Sequence, residues 1–263
     1  MRAETYSTPG PVTLTLGVPT GDISLETHDA PETYVELDAS DEEALADATI
    51  ELRERGDRFE VVVEARKKFR LLSWGDEYRL QIRAPHGADV DLKASSADVE
   101  ARGRYGSVEL TTASGDARFD DVEGDARINT ASGDVRVRRI GGEAAVNTAS
   151  GDVEVETLEG RGKIRSASGD VAVDAARSAL TIQSASGDQE VGSVASGQVT
   201  LQSASGDIEV GIAKGASLWI DAKSMSGETT SELELEGDPP ATGAADIDLR
   251  AASMSGDITV KRA

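Results

Sequence analysis

Cysteine is absent from the 263 residues. That excludes a disulfide framework, a thiolate zinc site and a cysteine nucleophile. Histidine is nearly absent: His28 and His86 stand far apart in sequence and argue against a multi-histidine metal centre. Positive charge is scarce, with 27 Lys and Arg against 49 Asp and Glu for a net charge of −22. Nucleic acid, whose phosphates attract Lys and Arg, is therefore a poor partner. So is an anionic membrane surface. No apolar run approaches the length of about 18 residues that a spanning helix needs, so no membrane span is expected. The opening MRAETYSTPG has no apolar stretch of the kind a secretory signal requires. The expectation is a cytoplasmic chain, with cell-envelope association if a leader was removed. There is no G-x-S-x-G elbow, phosphate-binding loop or dinucleotide fingerprint.

What the chain does have is a repeat. The motif Ala/Met-Ser-Gly-Asp/Glu occurs eight times, with Ser at 114, 132, 150, 168, 186, 205, 226 and 255. The first steps are 18 residues, and a degenerate copy, ASSADVEA, sits one step upstream at Ser96. A shorter period lies inside it, because Gly115, Gly124, Gly133, Gly142, Gly151, Gly160 and Gly169 are nine apart. Each long unit is thus two strands, each closed by a turn where glycine tolerates positive φ.

Between turns, apolar residues recur at every second position, which is the strand period. Aligned units give columns: Phe119, Val137, Val155, Val173 and Val191; Ile128, Val146, Ile164 and Ile182; Val122, Ile140, Leu158, Ala176 and Val194. A fourth, Thr130, Thr148, Ser166 and Ser184, is small and polar. One strand–turn unit cannot bury its apolar side alone, but stacked copies can. The fold class is therefore all-β: a single-stranded right-handed β-solenoid with coils of about 18 residues, or roughly eight to nine of them at one sheet spacing each. The low aromatic content suits a narrow interior.

Residues 1–77 lack this period and read as an N-terminal β-rich capping region, and 78–263 as the solenoid. VTLTLGV, ISLET, TYVELDA, TIELRE and FEVVVEA read as strands, the last two as a hairpin turning near Gly56-Asp57. ASDEEALADA reads as a short helical turn, and KKFRLLSWG (67–75) is a basic and apolar patch. SELELEGDPPATGAAD (231–246) reads as a loop excursion, after which SMSGDITVKRA closes the last coil.

Tandem SGDV-type strands, the opening TPGPVTLTLGVPTGDISLETHD and the close AASMSGDITVKRA together resemble the bacterial putative-adhesin β-strand-repeat family, a domain of unknown function. The resemblance covers nearly the whole chain. It implies a β-helix and a bacterial protein of adhesin type, with some members linked to envelope stress responses. It carries over no catalytic residue and no cofactor.

The candidate site residues are the turn aspartates Asp116, Asp134, Asp152, Asp170, Asp188 and Asp207, which Glu228 and Asp257 extend. On one reading each carboxylate accepts backbone N–H groups of its own turn. On the other the row binds Ca²⁺, which takes six to eight oxygens. The Thr/Ser column lies on the same side as Ile128 and Val146, which points to inward packing rather than ice binding. Arg55-Gly56-Asp57 spells an integrin-type tripeptide but reads as a turn. The tight turns of the central coils leave no room for the loop-built cleft of a glycan-cleaving enzyme. The function expected is a non-catalytic scaffold or interaction module with a protein or glycan partner, as a monomer. The alternatives are a self-assembling, bactofilin-like polymer joined end to end, or a Ca²⁺- or polysaccharide-binding module.

Overall fold

The computed structural model describes residues 1–65, 77–233 and 246–263. The patch 67–75 lies outside the described residues, as does most of the excursion at 231–246. The chain forms two compact units, Met1–Arg136 and Val137–Ala263.

The first unit is built on the strand Val12–His28. The sequence splits this stretch into two strands, VTLTLGV and ISLET, because Pro19 punctuates it. The structure carries it through as one, bent where Gly21 has φ of 120°. A Cβ at Gly21 would collide with the carbonyl of Tyr78, so only glycine lets the neighbouring strand approach there. Before the bend the strand pairs in parallel with Arg58–Glu64. After it the partner is Tyr78–Pro85, also parallel. Along its whole length it pairs with Ala88–Thr112, from Thr13 opposite Asp89 to Glu26 opposite Arg102. Leu14, Leu16, Ile23 and Leu25 face inward and are fully buried. Ala88–Thr112 then pairs in parallel with Ala117–Val122 and Ala126–Ser132.

Antiparallel strands flank this core. Arg2–Ser7 pairs with Glu32–Ala39, which pairs with Tyr78–Pro85. Thr49–Arg55 and Arg58–Glu64 form the expected hairpin, with Gly56 at φ of 71°. The helical turn is Glu42–Ala46, capped by Asp41, whose carboxylate accepts the N–H of Glu43 at 2.9 Å.

The second unit is a parallel-strand solenoid. Ala144–Ser150, Gly162–Ser168, Leu180–Ser186 and Gly197–Ser205 stack in register, so that Val146, Ile164, Ile182 and Leu201 form one buried column. Val153–Leu158, Val171–Ala176, Gln189–Val194 and Ile208–Ile212 stack likewise and align Val155, Val173, Val191 and Val210.

The last coils depart from chain order. Ile247–Ser255 pairs with Gly197–Ser205 on one side and with Leu218–Ser224 on the other. Ile258–Arg262 lies in the same way between Ile208–Ile212 and Thr229–Ser231. The C-terminal segment is therefore inserted within the stack, which corrects the sequence reading that SMSGDITVKRA closes the last coil. Inward polarity explains the order. The strands Leu218–Ser224 and Ile247–Ser255 are alike inside, with Leu218 and Ile220 opposite Ile247 and Leu249, but Ile258 and Val260 are apolar and buried where the coil beyond them offers the exposed Thr229 and Ser231. A buried Leu, Ile or Val contributes roughly 1.5–3 kcal/mol, so the apolar segment gains more from a neighbour on each side.

Candidate functional site: turn and face ladders

The turn aspartates form a cross-coil ladder. In the first unit the N–H of Asp116 donates to Asp98 Oδ1 at 2.9 Å, and that of Asp134 to Asp116 Oδ1 at 3.0 Å. In the second, Asp170 donates to Asp152 at 2.9 Å, Asp188 to Asp170 at 2.8 Å and Asp207 to Asp188 at 2.8 Å. The ladder continues in spatial order, with Asp257 donating to Asp207 and Glu228 to Asp257, both at 2.8 Å. Each carboxylate thus accepts from the next coil, not from its own turn as the sequence reading has it. The reason is the in-register stacking, which brings the next turn's N–H within reach of the short side chain. Asp98 joins the ladder although its turn reads Ala-Asp in place of Gly-Asp; the degenerate copy at Ser96 is the signal that marks it.

This arrangement commits one oxygen of each bonded carboxylate to a backbone donor. The other oxygens of Asp116 and Asp134 face Arg118 at 3.5 Å and Arg136 at 3.4 Å. Among the described residues no group of three or more His, Asp or Glu converges as a metal-ligand set. The two histidines, far apart in sequence, meet at neighbouring strand ends, where the N–H of His86 donates to the carbonyl of His28 at 3.0 Å. Their rings are engaged locally: His28 Nδ1 accepts from Ala30 N–H, and His86 Nδ1 lies 2.7 Å from Thr27 Oγ1.

The Thr/Ser column faces inward. Thr130, Thr148 and Ser166 are buried. Thr130 Oγ1 donates to the carbonyl of Ser132 at 3.0 Å, and Thr148 Oγ1 to that of Ser150 at 3.2 Å. Arg55-Gly56-Asp57 is the exposed tip of the hairpin.

The family profile Toastrack DUF4097 matches residues 13–261, which takes in both units and the whole ladder. The chain belongs to the Toastrack DUF4097 family. It is similar to a putative adhesin from Bacteroides fragilis, with 13% identity over 100% of this chain and 96% of that one, at a TM-score of 0.44. It is also similar to a putative adhesin from Parabacteroides distasonis, with 11% identity, 100% and 96% coverage and a TM-score of 0.39. A third is a putative cell adhesion protein from Clostridium sporogenes, with 12% identity, 100% and 99% coverage and a TM-score of 0.32. No curated protein matches the chain.

This Toastrack chain also carries a concavity that its sequence does not announce. An open groove of about 760 Å³ lies in the first unit, lined by polar residues including Asp22, Asp38, Ser40, Arg79, Asp98 and Ser114. It forms where the antiparallel strand Glu32–Ala39 meets the start of the aspartate ladder, a juxtaposition no local motif encodes. Asp38 is held below the usual carboxylate range, first by its bond to the Met1 amine at 2.9 Å and then by the N–H of Ala39. A carboxylate stabilised in this way is a poor proton donor. Among the described residues, no helix is long and apolar enough to cross a membrane.

Proposed function

We propose that this Toastrack chain is a non-catalytic β-solenoid scaffold of adhesin type, which presents rigid polar ladders to a protein or glycan partner. The observation that carries this reading is the use made of the turn carboxylates. They bond to backbone N–H groups of neighbouring coils, so they act as structural staples rather than as reactive groups. The outward side chains on the strands are left in straight columns for recognition. The adhesin names of the three similar structures agree with a binding role. Envelope association follows if a leader directs the chain there.

In this reading the coils are right-handed and about 18 residues long, with residues 1–77 as the cap and 78–263 as the solenoid proper. Alternating charges on Arg2–Ser7 and Thr49–Arg55, each paired on one side only among the described residues, discourage further strand addition at these edges. One observation favours end-to-end assembly instead: among the described residues, Leu218–Ser224 pairs on one side only. Size-exclusion chromatography with light scattering separates the two. The scaffold reading expects a mass near 27.5 kDa at all concentrations. Species that grow with concentration would favour the polymer.

A further inference from the structure

In the second unit, charge is sorted between the two sets of strands. Gly162–Ser168, Leu180–Ser186, Gly197–Ser205, Leu218–Ser224 and Ile247–Ser255 carry four cations against two carboxylates. The opposite set, Val153–Leu158, Val171–Ala176, Gln189–Val194, Ile208–Ile212 and Ile258–Arg262, carries five carboxylates against two cations. A cation-rich face on a chain of net charge −22 runs against the composition. Both carboxylates on that face are already matched, Asp221 by Lys223 at 2.7 Å and Asp248 by Arg250 at 3.2 Å. Among the described residues, Lys163 and Arg165 have no ion-pair partner.

The same face holds two of the four exposed large apolar side chains among the described residues, Trp219 and Met254, and Met225 follows in the bend after Leu218–Ser224. Trp219 is 49% exposed, and the Arg250 guanidinium lies 5.6 Å from its ring centroid. Between this aromatic end and the Lys163–Arg165 end stand hydroxyl and amide side chains. Thr181 pairs with Thr200, and Gln183 with Gln202. The amides are aligned by hydrogen bonds, Arg165 Nε donating to Gln183 Oε1 at 3.2 Å and Gln183 Nε2 to Gln202 Oε1 at 2.9 Å. The two ends lie on the first and fifth strands of the ladder, about 19 Å apart at the sheet spacing; the Arg165 column reaches Lys223 on the fifth strand, and Trp219 stands four residues along from it, so the path from Arg165 to Trp219 runs obliquely over about 23 Å.

Resting on the scaffold reading above, we infer that this face binds an extended acidic polysaccharide, laid across the strands from Arg165 to Trp219. Carboxylates of the polymer meet Lys163 and Arg165, its hydroxyls exchange hydrogen bonds with the threonine and glutamine columns, and one sugar ring stacks on Trp219. An acidic peptide fits less well. The backbone groups of the inner strands are already spent in ladders on both sides, so a peptide gains no strand pairing there. The in-register columns of threonine and glutamine suit a chain gripped by repeated shallow contacts, each weak and their sum specific.

Isothermal titration of the full chain with oligogalacturonate at low ionic strength tests this. The expected result is saturable binding that weakens with added NaCl. Trp219→Ala and Arg165→Glu should each weaken it roughly tenfold, as anchors of an interface do. Lys214→Glu, at an exposed turn outside the face, should leave it unchanged. Melting temperatures of the variants equal to the parent's show that the fold is intact, and circular dichroism repeats the check. No binding overturns the inference, as does equal weakening by Lys214→Glu or tighter binding of poly-glutamate. Shortened or unsaturated sugars released from the polymer would instead overturn the non-catalytic reading, so the two failures are distinguishable.

Discussion

Asp170 shows what a turn carboxylate does: its own N–H is bonded to Asp152, and its Oδ1 accepts from Asp188 at 2.8 Å. Asp170→Ala removes that acceptor, and a lowered urea midpoint should report a loss of about 1 kcal/mol. Asp170→Asn keeps an acceptor oxygen and drops a charge that repels its neighbours. That repulsion is roughly 0.9 kcal/mol per pair at sheet spacing in water, and about half that at physiological salt. The asparagine variant should therefore match or slightly exceed the parent; a loss as large as alanine's would mean that the charge itself is needed. Gly169, one residue earlier, has φ of 121°, and a Cβ there would collide with the carbonyl of Gly151. Its place is readable from the nine-residue period. Gln189 was not readable. It is buried in a column otherwise filled by Val and Ile, its Nε2 bonded to the Gln202 carbonyl at 2.7 Å while its Oε1 has no partner. Gln189→Leu should raise stability by about 1 kcal/mol in a urea melt, because a buried unpaired acceptor costs that much or more. A fall would show that the amide's one bond outweighs its orphan oxygen.

At the scale of strands, alternation and period together made the core legible. Val155 is fully buried between Val173 and its own coil, while Glu154 beside it is exposed. Val155→Asp should cost roughly 3 kcal/mol or more, and Glu154→Lys well under 1 kcal/mol, in paired thermal melts. Equal effects would mean the strand faces the other way. Strand order was not legible at the C-terminus, because the two Ser-Met-Ser-Gly motifs are interchangeable in register. Only the polarity of the inward positions separates them, and that is a comparison between segments rather than a local pattern. The absence of native cysteine makes the order testable. Thr200 is paired with Arg250, and Arg250 with Asp221. Thr200→Cys with Arg250→Cys places two thiols on adjacent strands, about 5 Å apart, which suits a disulfide. Thr200→Cys with Asp221→Cys places them about 10 Å apart, which does not. Mild oxidation followed by non-reducing electrophoresis should cross-link the first pair alone. The reverse result would restore chain order to the stack.

For the molecule as a whole, the charge of −22 sets how it responds to ions. Self-repulsion weakens a compact state, and the aspartate ladders concentrate it by stacking like charges at sheet spacing. Screening should therefore stabilise. Across the four neighbouring aspartate pairs from Asp152 to Asp257, the relief on reaching physiological salt is roughly 1–2 kcal/mol, or about 2–4 °C in melting temperature for a chain of this size. The unfolded chain keeps part of the repulsion, so the lower end is expected. Sodium and calcium chloride at equal ionic strength then separate screening from binding. A ladder in which one oxygen of each bonded carboxylate is committed to a backbone N–H group should respond alike to both salts. A specific site would add stabilisation that grows with the logarithm of calcium concentration above its dissociation constant. An extra rise in calcium, abolished by EDTA and by Asp170→Asn, would turn the row of turn carboxylates from staples into a cation site.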